Sequence, residues 1–150
     1  MFERFNKIEF KKMAGWHALA IFFILSDRFL KVWATLLKPK TDSWFGFNYS
    51  LNADLAFSLP LKQILIITVV GLIIVWLGLY YFRLLANGAW QAGLVFALIL
   101  ASISNLFDRI AYGGVIDYLN FGSLTIFNLA DALIMFSLGW WLWTEVFHSN

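Results

Sequence analysis

Four long apolar stretches constrain this chain more than any other feature. They cover about residues 13–37, 61–82, 89–107 and 126–147. Each holds about 19–25 residues, and about 20 are needed to cross ~30 Å of hydrocarbon at about 1.5 Å per residue. A helix satisfies every backbone group inside its own segment, which makes it the form such stretches take in lipid. Composition agrees: 61% of the 150 residues are hydrophobic and only 13% are charged, against about 25% charged in a soluble domain. The predicted fold is an all-α membrane protein of four transmembrane helices, one domain over residues 1–150.

The first stretch opens like a secretion signal, with Arg4, Lys7, Lys11 and Lys12 ahead of the apolar run. Ser26, Asp27, Arg28 and Lys31 then stand where a small-residue cleavage site would be, and apolar residues resume to Leu37, so a retained helix is expected. The connection over 38–60 is mixed and aromatic, with Trp44-Phe45-Gly46-Phe47 and Tyr49, and suits a small sheet on the membrane surface. Asn87-Gly88 marks a tight turn. Residues 108–125 are Gly-rich, with Val115, Ile116, Tyr118 and Phe121.

Four spans put both termini on one side. The N-terminal tail carries four basic residues against two acids, which favours a cytoplasmic location for it. Trp16, Tyr80, Tyr81, Trp90, Trp140, Trp141 and Trp143 all fall at the inner helix ends, as an interfacial belt would. There is no cysteine, which excludes thiolate catalysis, disulfides and thiolate metal sites. The two histidines, His17 and His148, form no His-Glu-x-x-His, and neither a metal nor a cofactor is expected. A net charge of +2 without a basic run gives no reason to expect nucleic acid as a partner.

The polar residues gather at the opposite, outer face: Asp27 and Lys31 on the first helix, Asn52 and Asp54 before the second, Asn105, Asp108 and Arg109 ending the third, Asp117 in the next loop, and Asn128 and Asp131 opening the fourth. Each has an ordinary explanation. Asp27 and Lys31 are spaced as a helical ion pair, Asn105 and Asp108 share a helix face, Arg109 can snorkel, and Asn128 can cap a helix whose dipole meets Asp131. His17 reads as a satisfied interfacial residue. Ionisable groups at membrane depth are costly, however, and a cluster drawn from all four helices points to one shared site. An ion or proton carrier would spread polar groups through the full depth, yet the middle of the second helix has none. A purely structural or assembly protein would need its acids only as partners for Lys31 and Arg109.

Five ordered motifs make the chain resemble the prolipoprotein signal peptidases (signal peptidase II). Asp27-Arg28-Phe29-Leu30-Lys31 matches that family's Asp-x-x-x-Lys. Asn52-Ala53-Asp54-Leu55-Ala56-Phe57 stands in place of Asn-x-Gly-x-Ala-Phe, and Ser104-Asn105-Leu106-Phe107-Asp108-Arg109 in place of Gly-Asn-x-x-Asp-Arg. Gly113-Gly114-Val115-Ile116-Asp117-Tyr118 matches Gly-x-Val-x-Asp-Phe, and Phe127-Asn128-Leu129-Ala130-Asp131 matches Phe-Asn-x-Ala-Asp. Asp54 and Ser104 replace glycines, and Tyr118 replaces phenylalanine.

The resemblance implies a monomeric aspartyl endopeptidase of the bacterial cytoplasmic membrane. It implies removal of the signal peptide from diacylglyceryl-modified prolipoproteins, just before the lipidated cysteine, at the extracytoplasmic face and among membrane lipids. By the same resemblance Asp117 and Asp131 form the catalytic pair. Asn52, Asn105, Arg109 and Asn128 hold substrate or orient that pair, and Asp27, Lys31, Asp108, Phe57 and Ala130 brace it.

Overall fold

The computed structural model describes residues 7–53, 63–122 and 125–148. Four helices, α1 (Lys7–Leu37), α2 (Gln63–Ala86), α3 (Ala92–Tyr112) and α4 (Leu129–His148), are joined with three strands, β1 (Phe45–Asn52), β2 (Val115–Phe121) and β3 (Thr125–Phe127). α3 is the hub, packing against each of the other three helices, while α1 and α4 also meet directly. α2 and α3 are each long and apolar enough to cross a membrane. α2 leaves residues such as Ile64, Leu72, Leu79 and Phe82 exposed over most of its surface, as a lipid-facing helix does.

Three layers follow one another along the bundle. At one end Met13, Leu77, Leu84, Ala92, Val95 and Leu98 pack beneath Tyr80, Tyr81, Trp90 and Trp141. Seven residues further along α1, about 10 Å, comes a layer of small side chains: Ala20, Ala97, Ala101 and Ala130 with Leu133. Small residues let helix backbones approach closely. Another seven residues on, Asp27 opens a polar layer with Lys31, Ser104, Asp108 and Asn128, all buried. His17 lies in the first half of α1, its Nδ1 2.7 Å from the Met13 carbonyl and its Nε2 3.0 Å from the Tyr81 hydroxyl. It is a satisfied residue, as expected.

Several element boundaries differ from expectation: α2 runs past Phe82 to Ala86, and Ile126 and Phe127 belong to β3 while α4 is Leu129–His148. α1 already includes Lys7, and Lys12 pairs with Glu9 at 3.1 Å, so Lys7, Lys11 and Lys12 are helical. α3 runs past Phe107 to Tyr112, which puts Asp108 and Arg109 inside the helix. Residues 108–112 contain no helix breaker, and the stop comes only at Gly113, in the left-handed conformation (φ 76°), whose N–H bonds the Arg109 carbonyl at 3.2 Å. Asp117 consequently sits on a strand and not in a loop.

The sheet has the order β1-β2-β3, antiparallel throughout. Asn52 pairs with Val115, Ser50 with Asp117 and Phe45 with Phe121, with an irregularity between Phe47 and Ser50. Trp33 of α1 meets Phe47 edge-on at 5.1 Å, which ties the sheet to the bundle. A side chain on Gly114 would come within 2.9 Å of the Asn52 carbonyl oxygen. Gly114→Ala is therefore expected to force β1 and β2 apart, costing about 1–3 kcal/mol and lowering the melting temperature in detergent. An unchanged melting curve would show that β1 yields freely at this point.

Candidate active site

Asp117 lies on β2 and is 2% exposed. Its Oδ1 accepts the Asn128 side-chain amide at 2.7 Å and its Oδ2 accepts that of Asn52 at 3.2 Å. Asp131 occupies the first turn of α4, where Asn128 is the cap. The Asn128 Oδ1 accepts the Asp131 N–H at 2.9 Å, and the Asp131 Oδ2 accepts the Asn128 N–H at 3.4 Å. This is a reciprocal capping box. The capping role expected for Asn128 and a role in the site are thus the same role. Its amide oxygen holds the backbone of one acid while its amide nitrogen holds the carboxylate of the other. Asn105 completes the set, donating its side-chain N–H to the Asp131 Oδ1 at 2.7 Å.

Beneath the two acids lies a network centred on Asp27, Lys31 and Asp108, all fully buried. Lys31 is fully buried and its ammonium reaches Asp108 Oδ2 at 2.8 Å, Asp27 Oδ2 at 3.2 Å and Asn105 Oδ1 at 2.8 Å. Arg28 pairs with the other oxygen of Asp108 and lies over the Phe107 ring, 4.9 Å from its centre. Two cations thus balance Asp27 and Asp108. An ammonium can only donate, so Lys31 fixes the Asn105 amide with its oxygen inward and its N–H₂ toward Asp131. Asp27 further accepts the Ser104 hydroxyl at 2.8 Å, the Tyr118 hydroxyl at 3.0 Å and the Ala130 N–H at 3.2 Å. The Ile116 N–H points to Asp108 at 3.4 Å, linking β2 to α3.

Burial pushes the Asp117 carboxyl up to about 7, and the nearby Asp131 charge pushes the same way. Hydrogen bonds from Asn128 and Asn52 and the charge of Lys31 oppose the rise without cancelling it. Two like charges in one site disfavour double ionisation, so a shared proton is the natural state of such a pair.

Most residues singled out in the sequence converge here: Asp117, Asp131, Asn52, Asn105 and Asn128 at the surface of the network, Asp27, Lys31, Asp108 and Ala130 beneath it. Arg109 stands aside, its guanidinium 3.4 Å from the Ala53 carbonyl. Phe57 and Asp54 lie outside the described residues. Three contributors were missed. Arg28 was passed over as a motif spacer, although it stands one turn before Lys31. Ser104 was read only as a small residue for packing, yet it lies one turn before Asp108 and its hydroxyl binds Asp27. Tyr118 stands where the pattern has phenylalanine, and its hydroxyl bonds both Asp27 and the Leu129 N–H.

Residues 19–147 match a family model described as signal peptidase (SPase) II. The chain is similar to the lipoprotein signal peptidase of Halothermothrix orenii, 36% identical over 93 residues that cover 61% of this chain and 63% of that protein. To that of Pelotomaculum thermopropionicum it is 36% identical over 109 residues, 68% of this chain and 70% of the relative. To that of Synechocystis it is 34% identical over 145 residues, 86% of each. All of the chain also aligns with 96% of a solved bacterial membrane enzyme, with a TM-score of 0.74 at 16% identity, a likeness of fold.

Removing the charge of Lys31 while keeping its bulk strands the buried Asp27 carboxylate and leaves Asp108 with Arg28 alone. Lys31→Met is expected to cost about 3–5 kcal/mol, read as a shifted denaturant midpoint in micelles; a loss below about 1 kcal/mol would show that the network is hydrated. The folded-state value of Asp117 lies above its ordinary one, so its contribution to stability is complete below about pH 4 and is lost as the pH rises through about 7. Carbon-13 NMR of labelled aspartate should place this titration near 7. In Asn52→Ala, which loses a hydrogen bond to the ionised form, the midpoint should move higher; a move to lower pH would contradict the assigned role of Asn52.

Proposed function

The chain belongs to the signal peptidase II family, and from that premise we propose that it is an aspartic endopeptidase acting on prolipoproteins, with Asp117 and Asp131 as its catalytic pair. The observation that carries this reading is the Asn128 side chain, which holds both acids at once. The substrate is a diacylglyceryl-modified prolipoprotein, cut just before its lipidated cysteine. In the proposed arrangement all four helices cross the membrane as one domain and both termini are cytoplasmic. The polar layer and sheet lie at the extracytoplasmic side of a bacterial inner membrane. The substrate's acyl chains then stay in lipid while its peptide reaches the acids from the surface. The protein acts as a monomer and needs no metal or cofactor.

The chemistry follows from one proton shared between two carboxyls. The ionised member takes a proton from water as the hydroxide forms a bond to the scissile carbonyl carbon. The protonated member hydrogen-bonds the carbonyl oxygen and gives its proton as that oxygen becomes part of a gem-diol. Collapse of the gem-diol breaks the C–N bond: the amine leaves with the proton held by one carboxyl while a gem-diol hydroxyl gives its proton to the other, which returns the pair to its starting charge. Asn52, Asn105 and Asn128 hold the carboxylates in place throughout. Arg109, beside the Ala53 carbonyl, is placed to meet substrate backbone at the rim.

The test is cleavage of a purified lipidated prolipoprotein in detergent by wild type, Asp117→Asn and Asp131→Asn, each checked for folding. Each variant should lose at least about 10³-fold in kcat, and the wild-type rate should fall above about pH 7 as the pair loses its proton. Folded variants that still cleave would remove these acids from the mechanism.

A further inference from the structure

Helices leave their first N–H groups without partners inside the helix. In α4 each of the first three is taken by a different side chain. The Asp131 N–H goes to Asn128 Oδ1 at 2.9 Å, the Ala130 N–H to Asp27 Oδ1 at 3.2 Å, and the Leu129 N–H to the Tyr118 hydroxyl oxygen at 3.1 Å. The same hydroxyl donates to Asp27 Oδ1 at 3.0 Å. It therefore accepts from α4 and donates to α1, while its own backbone belongs to β2, next to Asp117. Tyr118 is wholly buried. Burial and the Asp27 charge push its hydroxyl well above the usual tyrosine range, so it stays protonated and remains a donor at any working pH.

Building on the peptidase reading above, we propose that Tyr118 is a positioning residue whose hydroxyl locks the N-terminus of α4, and with it Asp131, at a fixed spacing from Asp117. Phenylalanine, which stands here in the pattern that the sequence resembles, would fill the same space without either hydrogen bond. In this chain the strand bearing one acid and the helix bearing the other are bolted together through a single oxygen atom.

The experiment compares wild type with Tyr118→Phe on the same lipidated substrate, alongside Asp117→Asn as the inactive control. Loss of the bolt should lower kcat roughly tenfold with KM unchanged. It should also move the alkaline limb of the pH profile to lower pH, since a more distant Asp131 raises Asp117 less. The charged groups around Asp117 are Asp131 on α4, Asp27, Arg28 and Lys31 on α1, and Asp108 and Arg109 on α3. The substitution removes one hydrogen bond from Asp27 but changes none of these charges, so the shift reports spacing. A lowered melting temperature with kcat and the pH limb unchanged would overturn the proposal and leave Tyr118 a packing residue. A second readout does not depend on activity: amide exchange at Leu129 should quicken in Tyr118→Phe. Unchanged exchange also overturns the proposal. Failure of wild type to cleave any lipidated substrate would instead count against the peptidase reading, and leave the exchange measurement to decide the cap.

Discussion

A lysine ammonium buried among helices must be neutralised and hydrogen-bonded where it stands, because desolvating it alone is far too costly. Lys31 meets that requirement by drawing Asp27 from its own helix and Asp108 and Asn105 from α3. These contacts fix the rotation of α1 against α3. They also leave Asn105 one way to lie, with its amide hydrogens facing Asp131. Arg28 balances the remaining charge of Asp108 from the bundle's edge. The geometry of the acids above is thus inherited from a charge problem solved below them.

The sheet solves a different problem. Asp117 and Asp131 come from separate elements, a strand and a helix, whose relative placement has to be fixed. α4 carries Asp131 in its first turn, while α3 would have to stop abruptly to free the chain for Asp117. Gly113 supplies the stop, and Gly114 lets the departing strand pass against the Asn52 carbonyl. β2 then runs between β1 and β3 with Asp117 enclosed on it.

Much of this was legible in the chain. Long apolar stretches announce helices because lipid leaves the backbone few other options; the β-branched and aromatic residues after Gly114 carried a strand signal, yet Asp117 among them was expected in a loop. The acids and their asparagines were legible because ordered motifs preserve spacing. What escaped was of another kind. Helical residues with charges, such as Asp108 and Arg109, look like the end of a span when hydropathy is the only guide. Ser104, Arg28 and the Tyr118 hydroxyl act through partners about 75–90 residues away in the chain, and no local pattern shows such pairs. The double use of Asn128 escaped as well: its cap is local, while its bond to Asp117 reaches 11 residues back, onto β2.

The alanine layer has a consequence of its own. On α1 it separates Asp27 from His17 by ten helical residues, about 15 Å, and the side chains between helices at that depth are Ala20, Ala97, Ala101, Ala130 and Leu133. All five are buried and none carries a polar side-chain atom. A protein that keeps a titrating carboxyl pair in an energised membrane risks short-circuiting the gradient across it. In the proposed arrangement, with all four helices across the membrane, this waist of methyl groups would insulate the acids from the opposite face.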